Sequence, residues 1–128
     1  MDYPLLVTAA IITDNDKILL IKRGRDPFKG KWSLVGGCGA FKTDKDPKDA
    51  VIKEVQIDIG CKFSPTFLSY NFAEFEIPTV TMFFHGPISG DITPSSKHVV
   101  EYRWFEFNEI DKLDLAFDHK KVLLEFTK

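Results

Sequence analysis

Gly36-Gly37-Cys38-Gly39-Ala40-Phe41-Lys42-Thr43-Asp44-Lys45-Asp46-Pro47-Lys48-Asp49-Ala50-Val51-Ile52-Lys53-Glu54-Val55-Gln56-Ile57-Asp58-Ile59-Gly60-Cys61 is the stretch that decides the fold. It reads as a glycine pair, a polar loop over residues 38 to 45 and a helix. Asp46-Pro47 is an N-cap acid followed by proline at the first helical position, and Gly60 is a natural C-cap. At about 100° per residue, Val51, Ile52, Val55 and Ile59 fall on one side as the core stripe. Glu54 and Asp58 are four residues apart, one turn above the other on an adjacent face. Ile57 lies off the stripe, toward the side shared by Ala50 and Lys53. Two stacked carboxylates beside an apolar stripe suit Mg²⁺, which commonly takes one or two protein carboxylates and completes its shell with phosphate and water. The alternative is a solvated helix face. With Gly36-Gly37 upstream, the metal site is the favoured reading. Alone, that pair signals only a turn needing positive φ.

Outward from this stretch, apolar strands flank the helix. Leu5 to Ile12 is a β-branched-rich run, Thr13-Asp14-Asn15-Asp16 is a turn, and Lys17 to Arg23 returns to make a hairpin. Gly24 to Lys31 is a loop, and Trp32 to Val35 a short strand. After the helix, Lys62 to Tyr70, Phe72 to Ile77, Val80 to His85 and Val99 to Phe107 read as strands, and Asp118 to Phe126 as a terminal helix. Strands alternating with two helices predict an α/β or α+β sandwich.

At 128 residues the chain is expected to be one domain, over residues 1–128, with a single core. Hydrophobic residues make up 44% and charged residues 28%, ordinary for a globular protein. Lys and Arg number 17 and Asp and Glu 19, a net charge of −2, so nucleic acid is not the expected partner. Leu5 to Ile12 is too short to span a bilayer, so no membrane partner is expected. Met1-Asp2-Tyr3-Pro4 lacks a basic n-region, which argues against a secretory signal. Cys38 and Cys61 make no disulfide framework, and a reducing cytoplasm is the expected compartment.

Lys53-Glu54-Val55-Gln56-Ile57-Asp58-Ile59-Gly60 resembles the Nudix box, the signature of enzymes that split a diphosphate linked to a nucleoside. The usual pattern is G-x5-E-x7-R-E-U-x-E-E-x-G-U, where U is a bulky aliphatic residue. Lys53 stands where Arg is usual, Ile57 and Asp58 stand at two glutamate positions, and Lys45 stands where the first glutamate falls. Seven residues separate Gly37 from Lys45 where the family has five, and Leu34-Val35-Gly36-Gly37 lacks the family's proline. The likeness continues through Ile18 to Gly24, Pro27 to Leu34, Glu101-Tyr102-Arg103-Trp104-Phe105 and Leu115-Ala116-Phe117-Asp118-His119. The latter segments resemble ADP-ribose pyrophosphatase-like members. The resemblance implies a mixed β-sheet sandwiched between helices and a Mg²⁺ cofactor, with Mn²⁺ as the alternative. It implies that Glu54 binds metal, that Asp58 binds a second ion or orients water, and that Lys53 positions Glu54.

Lys22, Arg23, Arg25, Lys29 and Lys31 form a basic run, read either as a phosphate-attracting rim led by Arg23 or as a solvated loop. Among the aromatics, Phe28 is the candidate for stacking a base, while Trp32, Phe72, Phe83 and Phe84 are expected in the core. His85, His98 and His119 are scattered and read as surface or capping residues. Neither cysteine has a nucleophile's surroundings. Lys97, in Ser95 to Glu101, falls where many relatives carry an acid. Glu101 is then the nearest carboxylate that could serve the site, against a solvent-facing strand residue. Gly36 and Gly37 are carried over as substrate-side backbone.

The leading expectation is a Mg²⁺-dependent hydrolase of a nucleoside diphosphate linked to another group, ADP-ribose-like compounds first, with activity reduced by the altered box. The second is a non-catalytic module that binds or senses a nucleotide, favoured by Ile57, Lys45 and Lys97. A third is a pyrophosphohydrolase that sanitises nucleoside triphosphates. The partner in each case is a nucleotide-type small molecule. A homodimer is compatible with all three.

Overall fold

The computed structural model describes residues 3–94 and 97–128. Its strands are β1 Leu5–Asp14, β2 Lys17–Arg23, β3 Trp32–Ser33, β4 Val35–Gly37, β5 Lys62–Phe63, β6 Thr66–Glu74, β7 Pro78–Gly86, β8 Ile88–Ser89 and β9 Val99–Glu106. Two α-helices, α1 Pro47–Ile59 and α2 His119–Phe126, accompany 3-10 turns at Gly39–Lys42 and Phe107–Lys112. Seven strands make one mixed sheet with the order β3-β2-β1-β7-β6, to which β4 adds beside β1 and β9 beside β2. Among the strands of the described residues only β1 and β7 pair in parallel, from Leu5↔Thr79 to Ile12↔Gly86. β5 and β8 form a separate small pair. The expected mixed sheet between helices is what forms.

β1 explains the layering. Its residues Ala9 to Ile12 are all buried, because both faces of the strand are covered. Ala10 and Ile12 join Leu19, Ile21, Val35 and Phe84 under Val51, Val55 and Ile59 of α1. Ala9 and Ile11 join Ile18, Leu20, Phe83 and Phe105 under Leu123 of α2. Alternation along each strand therefore feeds two cores, one per face.

α1 forms as its end signals predict. Asp46 accepts a hydrogen bond from the Lys48 amide at 2.8 Å, Pro47 takes the first position, and Gly60 closes the helix at φ +72°. Val51, Val55 and Ile59 are fully buried, whereas Ile52 is only partly so. The sheet touches the helix along a narrower stripe than the angles suggest.

Several boundaries differ from the sequence reading. Lys62 to Tyr70 and Phe72 to Ile77 are not two strands. The chain breaks at Ser64-Pro65 and then runs unbroken as β6 through Asn71. Asn71 is a poor strand former by itself, but its side-chain amide donates to Asp118, the residue that leads into α2. β1 extends to Asp14, and Asn15-Asp16 turn the hairpin, with Asn15 in the left-handed region at φ +56°. Phe72, expected in the core, is 55% exposed. Of the Ser95 to Glu101 segment, Ser95 and Ser96 lie outside the described residues.

The orientation of α1 can be tested by stability. Ile59→Ala should cost ~2–5 kcal/mol, the range for a large-to-small change in a packed core. Ile57→Ala, at a side chain 48% exposed, should change stability by less than ~0.5 kcal/mol. Urea denaturation of both variants measures the contrast, and equal losses would mean that the helix is turned differently.

Candidate active site

α1 presents Glu54 and Asp58 to the Gly37–Ala40 turn rather than to open water. Glu54 is 8% exposed and Asp58 6%, so a solvated helix face is excluded for both. The Ala40 amide donates to Glu54 Oε1 at 2.8 Å. A side chain on Gly37 would begin 3.2 Å from Glu54 Oε2, a tight contact that glycine avoids, so the carboxylate lies close to the backbone without being displaced. Gly36 serves a different purpose. A Cβ there would meet the Thr8 carbonyl oxygen at 2.0 Å, because β4 is clamped beside β1.

The Asp58 carboxyl is pushed up to about 7. Burial is the main cause and the neighbouring Glu54 charge the second, and Arg25 and Arg23 oppose them. The Arg23 guanidinium is held below its ordinary value, chiefly by burial and then by Arg25, against Asp58 and Asp26. Its Nε donates to the Pro27 carbonyl at 2.7 Å, and its guanidinium lies 4.9 Å from the centre of the Phe117 ring.

Two hollows meet at this point. One, of about 390 Å³, is lined by Glu54, Asp58, Ile57, Lys42, Lys53 and His98, among others. The other, of about 220 Å³, is walled by Arg23, Phe75, Ile77, Phe117, His119 and Leu34, among others. Arg25, Gly37 and Cys38 belong to both. The larger hollow bounded by Asp14 to Lys17, Glu106 to Asn108 and the C-terminal residues includes none of these carboxylates or arginines.

The other expected site residues are distributed unevenly. Lys53 Nζ reaches Thr43 Oγ1 at 2.5 Å and Asp44 at 3.5 Å, and Glu54 accepts a hydrogen bond from the Ala40 amide instead. Glu101 pairs with Lys22 at 3.2 Å across β9 and β2, and neither lines the two hollows. Lys31 pairs with Asp114. Of the basic run, Arg23 and Arg25 line the hollows. Phe28, at φ +63°, packs edge-on against Phe117 and Phe75, which make the wall in front of it.

His119, read from the sequence as a surface or capping residue, is buried. Its Nδ1 accepts from the Leu34 amide at 3.2 Å, and burial, then Arg23, pulls its pKa down to about 3, so it stays neutral. Phe75, Ile77, Phe117 and His119 are the wall residues that spacing could not reveal. Leu115 to His119 carried a hint only through its likeness to relatives.

Glu54 and Asp58 form a donor set suited to a hard dication. Like charges buried together disfavour mutual ionisation, and a bound cation reverses that cost. Among the described residues no group of three or more His, Cys, Asp or Glu converges as a closed cage. Mg²⁺ held here would take its remaining ligands from phosphate and water.

A family profile described as the NUDIX domain matches residues 3–126. The chain belongs to the Nudix family. An ADP-ribose pyrophosphatase of Methanocaldococcus jannaschii is 28% identical over 133 residues, covering 98% of this Nudix chain and 75% of that protein. The NUDIX domain of Shewanella oneidensis NrtR, solved with ADP ribose, superposes with a TM-score of 0.86 at 21% identity, over 98% of this chain and 88% of that one. A MutT NUDIX hydrolase from Burkholderia pseudomallei gives a TM-score of 0.80 at 26% identity, over 97% and 98% of the two chains. The chain is thus a Nudix-domain protein similar in sequence to an ADP-ribose pyrophosphatase. No helix among the described residues is long and apolar enough to cross a membrane.

The raised Asp58 pKa has a consequence for stability. The folded value, about 7, exceeds the unfolded value of roughly 3.9. The folded state therefore binds more protons between these limits, and stability falls as pH rises through them. In metal-free buffer the wild type should lose on the order of 3 kcal/mol between about pH 4 and pH 7 from this group. Asp58→Asn should remove that slope and be the more stable protein at pH 7. Urea titrations at several pH values measure it, and identical slopes for the two proteins would refute a buried, Glu54-coupled Asp58.

Proposed function

We propose that this protein is a Mg²⁺-dependent hydrolase that cleaves the diphosphate of a nucleoside diphosphate linked to another group, with ADP-ribose as the lead substrate. The observation that carries the proposal is the adjacency of the buried Glu54–Asp58 pair to an aromatic cleft, with Arg25 lining both hollows. A nucleoside suits the cleft of Phe75, Ile77 and Phe117, since such pockets are mostly apolar with a few polar groups. The diphosphate would then lie over the seam, where Arg23 and Arg25 offer charge-assisted hydrogen bonds to its oxygens.

Glu54 and Asp58 would hold the metal ion. An ion held by these two carboxylates would supply charge neutralisation at the phosphates and a lowered pKa for a bound water. Glu54 is fixed for this task by the Ala40 amide, so its free oxygen keeps one direction. Arg23 is fixed by the Pro27 carbonyl and the Phe117 ring, and needs little reorganisation to meet a phosphate. Water attacks phosphorus and the bond to the bridging oxygen breaks, giving two phosphate monoesters from an ADP-ribose-like substrate. Lys53, tied to Thr43 and Asp44, supports the loop that carries Ala40 and so acts on Glu54 indirectly.

A binding module without turnover is the second reading. Ile57 at a family ligand position and exposed to the carboxylate-lined hollow, together with Lys45 at the first glutamate position, supports it. A product assay across ADP-ribose, NADH, dinucleoside polyphosphates and nucleoside triphosphates, with and without Mg²⁺, separates the readings. We expect Mg²⁺-dependent release of AMP from ADP-ribose. Glu54→Gln should lower that rate by ~10²–10⁴, the scale of losing a reacting group. Gln can still accept from the Ala40 amide, so its melting temperature should stay within a few degrees. Calorimetry showing tight ADP-ribose binding with no product would replace the hydrolase by the sensor. Preference for nucleoside triphosphates would make it a sanitising enzyme.

Ile57→Glu restores the family ligand at a partly exposed position. It should tighten Mg²⁺ binding with little loss of stability when metal is present. Unfolding of the variant in saturating Mg²⁺ would show Ile57 to be a packing residue.

A further inference from the structure

One polar ring in the wall of the smaller hollow is spent on neither metal nor phosphate. His119 is buried and lines that hollow with Phe75, Ile77 and Phe117. Its surroundings hold it in place. It opens α2, and its backbone amide donates to the Ala116 carbonyl at 3.4 Å. The Phe83 ring meets it edge-on with centres 6.1 Å apart, and the Phe117 ring lies 5.3 Å away. Leu34, the residue between β3 and β4, donates its amide to Nδ1 at 3.2 Å.

That last contact decides where the ring keeps its proton. A backbone amide can only donate, so Nδ1 must offer a lone pair. A neutral imidazole carries a single N–H, which then sits on Nε2. Burial and the Arg23 charge pull the pKa down to about 3, so the ring is neutral near pH 7. Nε2 makes no hydrogen bond among the described residues. Among those residues the enclosed side-chain polar atom without a partner is Asp118 Oδ1, so Nε2 is not walled in and faces the hollow that the ring lines. The result is a rigid, neutral donor set in an aromatic wall. Thr79, on the same hollow, spends its hydroxyl proton on the Ile77 carbonyl at 3.0 Å and has only its oxygen to offer.

We propose that His119 reads the nucleobase, its Nε2–H donating to an unprotonated ring nitrogen of a base lodged against Phe75 and Phe117. The inference rests on the placement of the nucleoside in this cleft and names the group that selects it. A base is the part of a nucleoside diphosphate that joins flat apolar faces, suited to these rings, with in-plane lone pairs, suited to a fixed donor. Phosphate oxygens are better served by Arg23 and Arg25, whose bonds are charge-assisted. A base carrying hydrogen at the contacted atom would set donor against donor, so the ring selects by exclusion as well as by attraction. In adenine the candidate acceptors are N1, N3 and N7, and the fixed ring serves one of them.

Calorimetry of the full chain in EDTA, where metal-dependent turnover does not intervene, tests this. The ligands are ADP-ribose and its 1-deaza, 3-deaza and 7-deaza analogues, each with one ring nitrogen replaced by C–H. One analogue should bind about tenfold more weakly than ADP-ribose, because the buried donor is left unpaired, while the others stay within about threefold. Two variants separate reading from folding. His119→Asn keeps an oxygen near the place of Nδ1 for the Leu34 amide but has nothing at Nε2, so ADP-ribose and the affected analogue should bind it alike. His119→Gln sets an amide nitrogen near the place of Nε2 and gives up the Leu34 bond, so it should regain the preference for ADP-ribose at a lower melting temperature. If neither variant folds, the analogue series on the wild type decides alone. Analogues that all bind like ADP-ribose overturn the proposal and leave the hydrolase reading standing, as does a deaza penalty that persists unchanged in folded His119→Asn. Failure of ADP-ribose itself to bind removes the nucleoside cleft, and both readings fall together.

Discussion

The hydrogen bond from the Ala40 amide to Glu54 ties the loop after β4 to α1, and much of the candidate site depends on it. A buried carboxylate without a partner is costly. Here one backbone amide, offered by a short 3-10 turn, meets that need at one of the two carboxylate oxygens. Gly37, with no side chain, leaves room for the Glu54 carboxylate against the loop without displacing it. Gly37 in turn is placed by β4, which pairs through Thr8↔Gly37 and Ala9↔Gly36 with the central strand β1. The chain of constraint therefore runs from the sheet through a glycine to a carboxylate.

The same burial sets up the electrostatics. Asp58, one turn along, is brought into the neighbourhood of Glu54 with little water, and the arginines only partly offset the repulsion. A protein selected for stability alone would replace one of these acids by a neutral residue. Keeping both favours an occupant that carries positive charge, and the arginine-lined seam favours one that also carries negative oxygens. A metal-bound diphosphate satisfies both demands together.

Part of this was legible in the residues. Asp46-Pro47 and Gly60 marked both ends of α1 because capping is local chemistry, and Val51, Val55 and Ile59 marked its buried stripe because helical period is local geometry. Ile57 off the stripe followed from the same angles. Strand boundaries were less legible. Asn71 read as a break because its intrinsic preference is against strands, yet a long-range bond to Asp118 holds it inside β6. Phe72 read as core because it is aromatic in a strand, but the helix covering that face ends before reaching it.

The sequence by itself determined the family, the mixed sheet between helices and the two acids on one helix face, since motif spacing, caps and periodicity act within a few residues. Only the tertiary structure decided that both acids are buried, that Arg23 and Arg25 rather than the lysines of the basic run line the hollows, and that Glu101 pairs with Lys22. It alone made Phe75, Ile77, Phe117 and His119 a single wall. Those outcomes depend on which distant strands become neighbours and where a helix stops covering a sheet. Such contacts are set by the packing of the whole chain, and no local pattern encodes them.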